Sequence, residues 1–108
     1  MTPRMMIVAA ALVAAPLAAW AAGRTLVVDQ NRLQFSLAEA KLKVGDHIRF
    51  TNSDRTTHNL LISLAGAPTN SGLQKPGEPF DMPFARAGTY QVICGIHPKM
   101  KMKVVVEN

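Results

Sequence analysis

Apolar positions along most of this chain recur at every second residue, in short runs separated by turn-forming residues. The run "TLVVD" (25–29) is β-branched and apolar, and "LQFSL" (33–37) places Leu33, Phe35 and Leu37 on one face. After a Gly45-Asp46 turn, Ile48 and Phe50 point one way while His47 and Arg49 point the other. "HNLLIS" (58–63) is a further apolar run, and "FDMPF" alternates Phe80, Met82 and Phe84. "AGTYQVIC" is a strand launched by Gly88, and "MKVVVEN" closes the chain. Residues 65–79, "AGAPTNSGLQKPGEP", read as a long surface loop because of their prolines and glycines. Only "LAEAKLK" (37–43) could form a short helix, which Val44-Gly45 would end. Seven or eight strands with no crossover helices predict an all-β, single-domain antiparallel sandwich or barrel. No internal repeat or second domain is visible.

The first residues break this pattern. In "MTPRMMIVAAALVAAPLAAWAAG", Arg4 supplies a positive start and Met5 to Ala15 an uninterrupted apolar stretch. Pro16 interrupts that stretch, and Ala19-Trp20-Ala21 has the small-x-small form of a signal-peptidase site. The reading is a cleavable signal peptide over residues 1–21 and one folded domain over 22–108, exported to the periplasm. An uncleaved anchor is the alternative, since Met5 to Ala22 carries no charge. Its alanine-rich composition and Pro16 weigh against spanning a membrane, so no span is expected in the mature chain.

Composition narrows the function classes. Without Arg4 the chain has 11 Lys and Arg against 7 Asp and Glu, a net charge of +4. These charges are spread out, and the domain has one Tyr and no Trp, so it lacks a stacking platform for nucleic acid. A single cysteine, Cys94, forbids an intramolecular disulfide. An odd thiol in an oxidising compartment is a liability unless something occupies it, and a metal would do so.

The stretch "CGIHPKMKM" (94–102) suggests which metal. Cys94, His97 and Met100 follow the spacing C-x2-H-x2-M, which a tight loop leaving a strand can turn toward one point. His58, at the start of "HNLLIS", can join them if its strand end lies beside that of Cys94. Two imidazoles, a thiolate and a weak thioether suit copper. Zinc favours four strong ligands, calcium and magnesium want oxygen, and iron–sulfur clusters need about four cysteines.

With these residues in view, the chain resembles the cupredoxins, the small blue-copper proteins that include plastocyanin, pseudoazurin and amicyanin. The resemblance is carried by "KVGDHIRFTN" (43–52), "HNLLIS" (58–63) and "FARAGTYQVICGIHPKMKMKVVVEN" (84–108). It implies a Greek-key β-sandwich with one copper ion, Cu(I) or Cu(II), held at one end by His58, Cys94, His97 and Met100. It also implies that Asn59 hydrogen-bonds across to the ligand loop. The spacing after His97 matches the short, amicyanin-like loop with Met100 axial, and Met102 is the alternative axial ligand. Many relatives carry Thr or Ser after the cysteine and Pro before the histidine, where this chain has Gly95 and Ile96.

No general base, nucleophile elbow or open coordination position is evident, so the expectation is a carrier and not an enzyme. Single electrons would leave through His97, with Ile96 and Pro98 forming a small apolar patch. Lys99, Lys101 and Lys103 either point to solvent by strand alternation or steer an acidic redox protein partner. The chain is expected to be a monomer, with His47 at the surface. The alternative function is a periplasmic Cu(I) carrier or store using Cys94, Met100 and Met102, all soft sulfur ligands. A catalytic copper with an open position is a third reading.

Overall fold

The computed structural model describes residues 23–66 and 68–108, so the signal-peptide reading lies outside the described residues. Among the described residues nine strands form two sheets: β1 Thr25–Asn31, β2 Gln34–Phe35, β3 Glu39–Lys43, β4 His47–Asn52, β5 His58–Ser63, β6 Thr69–Gln74, β7 Phe80–Pro83, β8 Gly88–Cys94 and β9 Lys101–Glu107. The first sheet runs β2-β1-β4-β7 and the second β3-β9-β8-β5-β6. This is the expected Greek-key sandwich, with two parallel pairs, β1–β4 and β3–β9, among otherwise antiparallel neighbours.

Strand alternation sets the core. Val28, Ile48, Phe50, Leu60, Ile62, Phe84, Val92 and Val104 are buried between the sheets. His47 and Arg49 face solvent on the opposite side of β4, as their phase requires. Phe84 and Tyr90 meet edge to face at 5.0 Å, and the Tyr90 hydroxyl donates to the Arg86 carbonyl at 2.8 Å. Gly88 opens β8 at φ 144°, where a Cβ would stand 2.6 Å from Leu64 Cδ1. A side chain there would need both a backbone that L-residues rarely adopt and a moved leucine.

Two local expectations are corrected. Residues 39–43 are the strand β3, not a helix: Ala40 and Leu42 point inward with period 2, and their register with Val104 and Val106 of β9 holds them extended. The stretch 65–79 contains β6, an edge strand antiparallel to β5. Its sequence "TNSGLQ" buries only Gln74, so no apolar alternation marks it. Side chains of β5 and β6 do much of the pairing work: Asn59 Nδ2 donates to Asn70 Oδ1 at 2.7 Å, and Leu60 N to Ser71 Oγ at 2.9 Å. No helix among the described residues is long and apolar enough to cross a membrane.

Candidate metal centre

The antiparallel register of β5 and β8 pairs Leu60 with Cys94. It therefore brings the start of β5, which carries His58, beside the end of β8, which carries Cys94, across 36 residues of sequence. After Cys94 the chain turns tightly: Met100 N donates to the His97 carbonyl at 2.8 Å, and Cys94 N to the Met100 carbonyl at 3.1 Å. That turn folds His97 back over the thiol.

One potential ligand atom each from His58, Cys94 and His97 lies within 4.8 Å of the other two. Cys94 Sγ stands 3.5 Å from His58 Nδ1 and 3.8 Å from His97 Nδ1. With metal–sulfur and metal–nitrogen bonds of roughly 2.3 and 2.0 Å, an ion shared at about 120° puts its donors about 3.7 Å apart. The two measured separations bracket that value, so a small ion fits among the three side chains as they stand. His58 and Cys94 are fully buried, whereas His97 is half-buried and lies at the protein's end. The two imidazoles meet edge to face with centroids 5.3 Å apart.

The hydrogen bonds around His58 select its tautomer. Asp54 Oδ2 lies 2.8 Å from His58 Nε2. A carboxylate only accepts, so Nε2 carries the proton and the Nδ1 lone pair faces Cys94. The same carboxylate accepts the main-chain N–H groups of Arg32 at 2.6 Å and Leu33 at 3.0 Å. Burial pushes the Asp54 carboxyl up, but the bonds from His58 and these two N–H groups outweigh it and hold its pKa below the ordinary value. Sequence reasoning missed Asp54; the signal that could have found it is an acid four residues before a histidine in "SDRTTHN" (53–59).

Asn59 braces the loop through its main chain. Gly95 N donates to the Asn59 carbonyl at 2.7 Å, and Asn59 N points at Cys94 Sγ at 3.4 Å. Its side-chain amide donates instead to Asn70 and Gly72 on β6. Gly95 fits this arrangement, because a Cβ at that position would meet Asn59 Oδ1 at 3.2 Å. A threonine or serine there would press on the neighbouring amide, which would have to give by a few tenths of an ångström.

The two methionines differ in surroundings. Met102 lies across from Val92 and belongs to the hydrophobic core cluster. Met100 is also buried but lies outside that cluster, at the close of the ligand loop. His47 is exposed and takes no part in the convergent group. Of the three lysines, Lys103 pairs with Glu39 at 3.5 Å. Lys99 and Lys101 have no ion pair among the described residues, and they flank a groove of about 240 Å³ lined also by Leu33, Phe35, Leu37 and Met100.

A buried thiol and two imidazoles converging at one end of a β-sandwich make the equatorial donor set of the blue-copper class. Comparison with known proteins agrees. The sequence pattern of the copper binding proteins of the plastocyanin/azurin family matches residues 22–107. Amicyanin of Paracoccus denitrificans is 33% identical over 93 residues, covering 83% of this chain and 71% of that protein. Chloroplastic plastocyanin of Tetradesmus obliquus is 31% identical over 102 residues, covering 84% of this chain and 70% of that protein. The solved structure of a Cu(I) amicyanin variant superposes with a TM-score of 0.72 at 31% identity, covering 83% of this chain and 89% of that one. The chain belongs to the copper-binding plastocyanin/azurin family.

Proposed function

We propose that this protein is a one-electron carrier whose copper ion is held by His58, Cys94, His97 and Met100. The observation that carries the reading is the convergence of His58, Cys94 and His97 on one ion-sized point, with two of the three donors fully buried. When bound, copper supplies the Cu(I)/Cu(II) couple. The chain's own part is to present a fixed donor set, so that little has to move when the charge changes. His58 is locked by Asp54, and the loop of Cys94 is tied to β5 through Asn59. Burial excludes water from the thiolate, and half-buried His97 is the edge nearest an approaching partner. If all four residues held the ion, no position would remain for a substrate, which supports a carrier over a catalyst.

Residues 1–21 act in this reading as a cleaved export signal, and residues 22–108 work in the periplasm as a monomer. The redox partner is a protein with an acidic surface that docks over His97, Ile96 and Pro98. Lys99 and Lys101, which have no ion pair among the described residues, support that choice, because opposite charge speeds encounter. Copper carriage is disfavoured by burial: Cys94, Met100 and Met102 are all inaccessible, whereas a carrier must present its sulfurs for transfer.

The test is an ultraviolet–visible spectrum of the copper-loaded protein. Electron carriage requires an intense visible thiolate-to-copper band that bleaches reversibly on reduction and disappears in Cys94→Ser. A colourless protein that holds only Cu(I) and surrenders it to an acceptor would refute the reading. A reduction rate that does not fall with ionic strength would refute the acidic partner.

A further inference from the structure

Beside His58, a set of buried amides joins the two sheets. Gln30 on β1 and Gln74 on β6 are both buried, and Gln30 Nε2 donates to Gln74 Oε1 at 2.8 Å. Because β1 lies in the first sheet and β6 in the second, this bond ties the two sheets together through the interior. Gln74 Nε2 donates in turn to the carbonyls of Phe50 at 2.9 Å and Glu78 at 2.6 Å. Gln30 Nε2 also donates to the Thr51 carbonyl at 3.2 Å.

Gln74 meets His58 by two routes. The residues are direct cross-strand partners, so both side chains stand on the inner face within reach of each other. The second route is a chain of hydrogen bonds. The Gln74 carbonyl accepts from Asn52 Nδ2 at 3.0 Å, and Asn52 Oδ1 accepts from Asp54 N at 2.9 Å. Asp54 Oδ2 then accepts from His58 Nε2. Displacing β6 would disturb His58 along its flank and at its Nε2 together.

An apolar pair would remove the Gln30–Gln74 bond without orphaning either amide, though the carbonyls of Phe50, Thr51 and Glu78 would lose these donors. Two carboxamides leave Gln30 Oε1 buried without a partner, and it is the only such side-chain atom among the described residues. Replacing both partners of a buried hydrogen bond by apolar groups of similar shape is close to neutral. What the amides add is direction: they define one separation and one register of the two sheets at this end.

We infer that Gln74, held across the core by Gln30, is a positioning residue for His58 and governs how firmly copper is retained. The inference rests on His58 being a ligand, as proposed above. The variants are Gln74→Leu, Gln30→Leu and the double substitution. In copper-free protein, nitrogen-15 spectra follow solvent exchange of the His58 Nε2–H. In copper-loaded protein, the visible band follows copper loss to a chelator, and thermal unfolding is measured beside both.

Gln74→Leu is expected to speed Nε2–H exchange and copper loss by about tenfold, the lower end of effects from groups that orient ligands. Gln30→Leu should act in the same direction. The double variant should regain part of the melting temperature lost in the single variants, because neither amide is left without its partner, while both His58 readouts stay altered. That separation distinguishes positioning from simple support of the fold. A folded double variant with exchange and copper loss within twofold of wild type would overturn the inference. If a single variant does not fold, the double variant decides, and a double variant that cannot fold makes the pair a support of the fold and overturns the inference. Absence of a visible band from the wild-type protein would instead strike the copper reading, leaving the exchange measurement to judge Gln74 alone.

Discussion

Asp54→Asn isolates the contribution of one carboxylate to the metal centre. In the wild-type protein Oδ2 serves both His58 Nε2 and Leu33 N, while Oδ1 serves Arg32 N. Asparagine keeps the shape but has only one oxygen. If its amide NH2 faces His58, Nε2 must accept and the proton moves to Nδ1, where it blocks the lone pair aimed at Cys94. If its oxygen faces His58, the NH2 opposes the Arg32 N–H at a turn where Arg32 and Leu33 both hold positive φ, 56° and 58°. The second orientation costs less at the metal, yet it still exchanges a charge-assisted hydrogen bond for a neutral one. That exchange loses about 1–1.5 kcal/mol. One factor of ten corresponds to about 1.4 kcal/mol, so copper affinity should fall roughly tenfold, and further if the tautomer switches. The assay is competition for copper against a chelator of known affinity, with unfolding of the copper-free variant measured separately. Copper affinity within twofold of wild type would refute the argument that Asp54 sets the His58 tautomer.

The two methionines should part company in mutants. Met100→Leu is expected to keep a coloured site with a raised reduction potential. Met102→Leu should leave spectrum and potential unchanged and cost less than about 1.5 kcal/mol, as volume-conserving core changes do; voltammetry of both variants checks this, and the reverse outcome moves the axial ligand to Met102. Asp46 gives an acid limb to stability: main-chain N–H bonds from Lys43 and Arg24, with the Arg24 guanidinium, hold its carboxyl below the ordinary aspartate value. A depressed folded-state pKa stabilises above that ordinary value and is lost as pH falls through the folded one, so melting temperature should drop below about pH 4 and Asp46→Asn should flatten the drop. Phe84→Ala removes a fully buried ring that packs against Tyr90, and should cost about 3–5 kcal/mol by chemical denaturation.

How far the site was legible follows from chain distance. Cys94, His97 and Met100 sit within seven residues, so a single turn closed by Met100 N and the His97 carbonyl brings them together, and spacing alone exposes it. His58 was legible through donor chemistry, because copper asks for a second imidazole and the chain offers few. Asp54 was marked only by its place four residues before His58, and its role emerged when the 53–57 loop folded its side chain onto Nε2.

For this protein, then, local pattern determined that the chain is all-β, where most strands run, and which residue types could hold a soft metal. Period-2 burial and ligand softness are properties of neighbouring residues, so they can be read one segment at a time. The rest was decided by pairing between distant segments. Residues 39–43 became a strand because β9 lies beside them, and polar β6 exists because β5 supplies its partners. The register that sets His58 against Gln74, and the sheet packing that sets Gln74 against Gln30, span 16 and 44 residues. Such contacts form only when the core closes, because burial between two sheets, not any short-range preference, holds those amides in place.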